Sequence, residues 1–137
     1  MTVTVEYLDE EPNGLAAMIG GLIDGNLVAH PERRGLLKPA TIGIVASDAG
    51  VALTLRLSLH RVTVANGIVG RPDVVVRADS ETLTRLSSVP LTLGFPDART
   101  PEGREVTRKL VRRDLKVRGL VRHPRTVSRL NRLLSVT

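Results

Sequence analysis

The side chains that enzymes most often use for catalysis are few and scattered in this sequence. The 137 residues include no cysteine and only three histidines, His30, His60 and His123. The absence of cysteine excludes disulfides, thiolate metal ligands and cysteine nucleophiles. Two of the histidines precede proline, and none has neighbours at a spacing typical of a metal site or a nucleophilic triad. We interpret all three as structural residues and expect neither a metal nor a cofactor.

Carboxylates offer the next candidates for chemistry. Asp73 and Asp79 could be interpreted as a catalytic pair, but both stand at predicted element boundaries, where Asp is common in turns and helix caps. The sequence also contains no Gly-x-Ser-x-Gly elbow, no phosphate-binding loop and no dinucleotide fingerprint. We therefore expect a protein that is not an enzyme.

Charge is strongly segregated along the chain. Residues 1–32 contain six acidic residues and no Lys or Arg, whereas residues 99–137 contain twelve basic and three acidic residues. The basic part is most simply a solvated face, although it could also dock on an anionic membrane or an acidic protein. Nucleic acid is the weakest alternative, because aromatic residues are 1% of the chain and a strand is predicted between the two basic helices. We expect the acidic beginning to lie against the basic end.

Length and hydrophobic pattern predict one α+β domain over residues 1–137. Apolar residues three and four apart predict a helix over about 14–29, which its internal glycines should weaken. The sheet and the other helices are predicted over about 41–136, in the overall order α, β, β, β, β, α, α, β, α. No apolar run is long enough to span a bilayer, so we expect a cytoplasmic protein.

The clearest predicted strand covers residues 51–59. Its odd-numbered residues are all Val or Leu, so one face is aliphatic and the other mostly polar, as in a strand that is covered on one side. The alternation changes phase afterwards, which predicts a bulge or a bend near His60-Arg61. Residues 90–97 contain two prolines and a glycine, and we interpret them as a loop whose apolar side chains pack inward.

Three segments resemble the sterol carrier protein-2 family of small lipid-binding domains. Residues 71–83, RPDVVVRADSETL, resemble its valine-rich strand followed by a Ser-Glu-x-Leu helix start. Residues 115–119, LKVRG, resemble its late strand, and residues 130–134, LNRLL, resemble its closing leucine-rich helix. The chain ends in Ser-Val-Thr where peroxisomal members end in Ser-Lys-Leu, which indicates a bacterial member.

The resemblance implies a five-stranded, mainly antiparallel sheet with helices packed on one face, enclosing an apolar tunnel. It also implies non-catalytic binding, and transfer, of a sterol, a fatty acyl chain or another lipid. From periodicity alone the same aliphatic residues are the ordinary core of a sheet-and-helix domain, and this alternative stays open. The candidate tunnel wall consists of Leu53, Leu55, Leu57, Leu86, Leu91, Leu93, Phe95, Val106 and Leu110.

An anionic head group would need a basic residue at the mouth of the tunnel. Arg112 and Arg113 are the candidates, because they lie where Arg113-Asp114 replaces a glycine that often precedes the late strand of the family. The main alternative function is an interaction module with a filled core, whose basic C-terminal face binds an acidic protein or an anionic membrane. Self-association into a homodimer is a further option.

Overall fold

The computed structural model describes residues 4–86, 91–92, 95–96, 99–111 and 115–135. The strands are β1 (Thr4–Tyr7), β2 (Ala40–Ala46), β3 (Val51–Ser58), β4 (Arg61–Asn66), β5 (Val74–Ala78), β6 (Leu91–Thr92), β7 (Phe95–Pro96) and β8 (Lys116–Arg118). The helices are α1 (Gly14–Ala29), α2 (Ser80–Leu86), α3 (Pro101–Val111) and α4 (Pro124–Leu134), with a 3-10 helix (Pro31–Leu36) after α1. The helix predicted over 14–29 is confirmed.

The main sheet has six strands in the order β1-β4-β3-β2-β5-β8, and it is mixed. β1 runs parallel to β4 and β2 parallel to β5, whereas the other three pairings are antiparallel. The fold class α+β is confirmed, but the prediction of five mainly antiparallel strands was wrong in strand number. The missed strand is β1, whose four residues are too short to show an alternation and become a strand by pairing with β4.

A hairpin turn explains the change of phase after β3. β3 ends at Ser58 and β4 begins at Arg61, and these two residues are partners in the antiparallel register. The predicted bulge or bend near His60-Arg61 is therefore wrong, because the chain reverses its direction there. Leu59 lies in the turn and is 57% exposed, so it does not continue the aliphatic face of β3.

Two further expectations need correction. Residues 90–97 were expected to be a loop, but β6 and β7 pair antiparallel within them, with Leu91 opposite Pro96. The acidic beginning was expected to lie against the basic end, and this holds for α1, which packs on α4, but not for β1 and β8, which form opposite edges of the sheet. Glu6 in β1 instead forms an ion pair with Arg61 in β4, at 3.6 Å.

One face of the sheet, the inner face, is mainly aliphatic. The register places Leu55 between Ile42 of β2 and Val64 of β4, and all three side chains are buried. Buried residues of α1, α2 and α4 join these side chains in one core, so the helices cover the inner face. Asn26 of α1 donates a hydrogen bond to the carbonyl of Leu133 in α4, at 2.8 Å, which fixes the two helices to each other.

The opposite, outer face is crossed by the connection between β4 and β5. Thr54 on this face donates its hydroxyl to the carbonyl of Gly67 at 2.7 Å and accepts the N–H of Val69 at 2.9 Å. Ile68 then lies over Gly43 of β2, where a Cβ atom would be 2.8 Å from the Ile68 side chain. These contacts carry the chain over β3 and β2 and deliver residues 71–73 to the start of β5.

Two glycines of α1, Gly20 and Gly21, differ in the space beside them, and their substitution by alanine tests this difference. A Cβ at Gly21 would meet no atom within 4 Å, whereas a Cβ at Gly20 would overlap the phenol ring of Tyr7. We predict that Gly21→Ala raises the free energy of unfolding by about 0.5–1 kcal/mol, because alanine favours the helix. Gly20→Ala should gain less, because Tyr7 must move. Urea denaturation measures both, and an equal gain would show that Tyr7 does not pack on Gly20.

Candidate functional site

Three of the predicted wall residues lie together at the centre of the inner face. Leu53, Leu55 and Leu57 project from β3 to the same side, and each is at most 3% exposed. Helix α1 packs over this part of the sheet, and its own buried residues belong to the same core. These three leucines belong to the core of the domain, and their proposed contact with a ligand stays a prediction.

Five of the remaining predicted residues belong to the layer formed by α2, β6, β7 and α3. The structure describes their backbone but not their side chains, and they are Leu86, Leu91, Phe95, Val106 and Leu110. Leu93, Arg112 and Arg113 lie outside the described residues. Their proposed contacts with a ligand stay predictions.

Helix α2 links this layer to the rest of the molecule. Thr84 of α2 lies 4.0 Å from the sulfur of Met18 in α1, and Arg85 forms ion pairs with Glu81 at 2.6 Å and with Glu105 of α3 at 2.5 Å. The side chains of Arg85 and Glu105 are about half exposed, and such pairs contribute at most about 1 kcal/mol. The ion pair therefore joins α3 to α2 and by itself adds little stability.

The start of α2 is fixed by two carboxylates. Asp79 accepts the N–H of Thr82 at 2.7 Å and so caps the helix, as the sequence predicted. Asp48, in the turn between β2 and β3, accepts both the hydroxyl and the N–H of Ser80, each at 2.9 Å. These hydrogen bonds lower the pKa of Asp48 below its usual value of 3.8. Their stabilising effect is present above pH 3.8 and is lost as the pH falls through the lowered pKa.

Asp73 and Asp79 do not form a catalytic pair. They precede and follow β5, and six residues of extended chain span roughly 20 Å. Two carboxylates that share a reaction lie roughly 5–9.5 Å apart. Asp73 also has a structural role, because its side chain accepts the N–H of Thr41 at 3.0 Å. The interpretation of both residues as boundary residues is supported.

The side chains of the inner face become smaller toward the end of the sheet where α2 begins. Ala46 of β2 and Ala78 of β5 are neighbours in the parallel register, and each is 1% exposed. Two residues earlier in the same strands, the corresponding pair is Ile44 and Val76. At this end of the inner face two methyl groups therefore stand where larger aliphatic side chains stand at the centre, and both alanines are covered by the protein.

A second concave feature, the β8 groove, lies at the opposite end of β5. It is open to solvent and has a volume of about 740 Å³. One wall is the segment before β5 and the other is β8 with the turn that leads to α4. The lining residues are Arg71, Pro72, Asp73, Val117, Arg118, Gly119, Leu120, Val121, Arg122 and His123.

The two walls of the β8 groove are fixed to the sheet and to each other. Asp73 donates its N–H to the carbonyl of Thr41 at 2.8 Å, and Arg118 pairs with Val75 in the β5–β8 register. Gly119 has a φ of +88° and approaches the carbonyl oxygen of Asp73 so closely that a Cβ would overlap it. The carbonyl of Gly119 then accepts the N–H of His123 at 2.8 Å, which orients the start of α4.

Sequence reasoning did not predict this groove. Arg118 and Arg122 belong to the basic C-terminal run, but Arg71 lies far away in the chain and was not considered. Only the pairing of β8 with β5 brings the three arginines to one groove. The signal in the sequence was indirect, since RPD and KVRG both occur in the segments that carry the family resemblance.

The histidines occupy the ends of elements. His30 follows α1 and lies 3.3 Å from Glu32, His60 lies in the β3–β4 turn, and His123 precedes α4. Within the described ranges, no group of three or more His, Asp and Glu side chains is arranged to hold a metal ion. None of the helices described in the structure is long and apolar enough to cross a bilayer.

Gly119 offers a test of the groove geometry, with Gly50 as its control. Gly50 also has a positive φ, +64°, but a Cβ there would meet no atom within 4 Å. Gly50→Ala should lower the free energy of unfolding by about 1–2 kcal/mol, the cost of left-handed backbone. Gly119→Ala should lower it further, because the methyl group must also displace the Asp73 carbonyl. Equal losses in urea denaturation would contradict the close approach.

Comparison with known proteins shows that this architecture resembles a solved structure. No family model matches the sequence, and no curated protein matches it. A search of solved structures finds a chain described as "UbiJ-SCP2 Ubiquinone synthesis protein", with a TM-score of 0.62 and 20% sequence identity. The superposition covers 88% of this chain and 92% of that chain. The expected resemblance is confirmed at the level of the fold: the chain has an SCP2-like domain structure.

Proposed function

We propose that this protein binds an apolar ligand between the inner face of its sheet and the layer formed by α2 and α3. The ligand class is a sterol, a fatty acyl chain or a similar lipid, which the protein carries without catalysing a reaction. The observation that carries the proposal is the SCP2-like fold over 88% of the chain. The structural neighbour is described as a ubiquinone synthesis protein, and this description supports a lipid-soluble ligand.

The end of the inner face at Ala46 and Ala78 is the proposed position of the ligand. The inner-face side chains are small there, and α2, which begins two residues after Ala78, is joined to α3 by the Arg85–Glu105 ion pair. In this proposal the layer formed by α2 and α3 moves aside to admit the ligand, whereas α1 stays in place through its buried contacts with the sheet and α4. The predicted side chains on α2, β6, β7 and α3 would form the other wall.

Burial of hydrocarbon supplies the affinity in this proposal. A ligand that buries roughly 300 Å² of apolar surface gains about 7.5 kcal/mol before the entropic cost of binding is subtracted. Such a ligand needs few polar contacts for its affinity. The inner face fits this requirement, because the buried side chains that β2, β3, β4 and β5 place on it are all aliphatic.

The second candidate is an interaction module with a filled core. It is favoured by the basic C-terminal face, on which Arg118, Arg122, Arg125 and Arg132 are exposed and form no ion pair among the described residues. This face suits an anionic membrane or an acidic protein. Failure to bind a fatty acid, together with binding to anionic vesicles, would favour this candidate.

Ala78→Leu tests the proposed position. We predict that the leucine side chain takes the space that the ligand would occupy, so that affinity for a fluorescent fatty acid falls at least about tenfold. Ala46→Leu should behave in the same way. Ala17→Leu is the matched control, because Ala17 is exposed on α1 and this variant should bind like the wild type.

A filled core gives a different result. Both inner-face variants would then lose about 1–3 kcal/mol of unfolding free energy through overpacking. The wild type would also fail to bind the fluorescent fatty acid. That combination would overturn the proposal.

A further inference from the structure

The β8 groove carries an uncompensated positive charge. Arg71, Arg118 and Arg122 line it, all three are exposed, and none forms an ion pair within the described part of the chain. The groove has a single carboxylate, that of Asp73, and this carboxylate is oriented toward the backbone N–H of Thr41. Three guanidinium groups therefore face one carboxylate that already has a hydrogen-bond partner.

The start of α4 adds to this positive potential. Its N-cap residue is His123, which makes no side-chain capping hydrogen bond, and its first turn contains no acidic residue. Neither a capping side chain nor an acidic residue in this turn offsets the partial positive charge at the helix N-terminus. His123 also lines the groove, so the helix terminus and the three arginines act on the same space.

The shape of the groove suits a small ligand. Its volume of about 740 Å³ falls within the range of roughly 300–1,000 Å³ that is usual for small-molecule sites. Both walls are already held by the β5–β8 pairing, by the Asp73–Thr41 hydrogen bonds and by the close approach of Gly119 to Asp73. A ligand would therefore meet backbone that needs little rearrangement, and mainly the arginine side chains would have to become ordered.

We propose that the β8 groove binds a phosphate monoester, with Arg71, Arg118 and Arg122 as its ligands. Arginine is suited to this role because its planar group donates two parallel hydrogen bonds to phosphate oxygens. The phosphate can belong to a soluble metabolite or to a lipid head group. Val121 on the rim is 94% exposed and offers an aliphatic contact to a hydrocarbon chain attached to the phosphate.

This site is separate from the proposed apolar cavity. The groove extends from Asp73, just before β5, to Val117 and Arg118 beside the first half of that strand, whereas Ala78 is its last residue. Asp73 and Ala78 are separated by roughly 17 Å of strand, so a phosphate at the Asp73 end of the groove does not occupy the proposed ligand position at Ala78. Binding of a phosphate ester in the groove therefore does not depend on whether an apolar ligand is bound elsewhere, and the two proposals can be tested separately.

Calorimetry with glycerol 3-phosphate and flotation with phosphatidylcholine vesicles, with and without phosphatidic acid, test the proposal. We expect the wild type to bind at least one of the two phosphate-bearing probes. Arg118→Ala and Arg122→Ala should each weaken that binding about tenfold, the usual effect of losing a charge-assisted hydrogen bond. Arg56→Ala is the control, because Arg56 is exposed on the outer face, does not line the groove and carries the same charge.

The two probes distinguish the source of the phosphate. Binding of glycerol 3-phosphate alone supports a soluble metabolite, and binding only to vesicles that contain phosphatidic acid supports a lipid head group. Arg122→Lys keeps the charge but loses the paired donors, so it should bind more weakly than the wild type. The proposal is overturned if neither probe binds, or if Arg118→Ala and Arg122→Ala weaken binding no more than Arg56→Ala does.

Discussion

The register of the six-stranded sheet is the constraint on which the rest of the structure depends. Leu55 lies between Ile42 and Val64 because β2, β3 and β4 pair without a shift, and this alignment makes one face continuously aliphatic. A slip of one residue in β3 would turn its leucines to the outer face and leave α1 without a surface to cover. The helices, the position of α2 and the course of the β4–β5 connection all follow from that alignment.

The two proposed sites lie toward opposite ends of β5. At its last residue the inner-face side chains shrink to Ala46 and Ala78, and α2 begins two residues later. Near its first residue, Arg71 and Arg118 come together through the β5–β8 pairing and line the β8 groove. The aliphatic centre of the sheet separates the two proposed sites. This arrangement is typical of domains whose ligands bind at the borders of a rigid core.

The sequence predicted the features that are determined locally. α1, the aliphatic face of β3 and the Asp79 cap of α2 follow from spacing and from capping chemistry, and each is present. The features that it did not predict are set by contacts between distant segments. β1 becomes a strand through β4, the β3–β4 turn has no glycine signal at Leu59-His60, and the β8 groove needs Arg71 beside Arg118. Charge segregation along the chain was only a partial guide to proximity, since α1 packs on α4 but β1 and β8 lie at opposite edges.

The central claim is that the inner face of the sheet helps to enclose an apolar ligand. Native mass spectrometry of the purified protein, followed by solvent extraction and identification of the bound molecules, tests it most directly. The claim predicts a population whose mass exceeds that of the chain by one lipid, and an extract that contains that lipid at near-stoichiometric amount. A protein that has only the mass of its chain, yields no lipid on extraction and takes up no added fatty acid would contradict it.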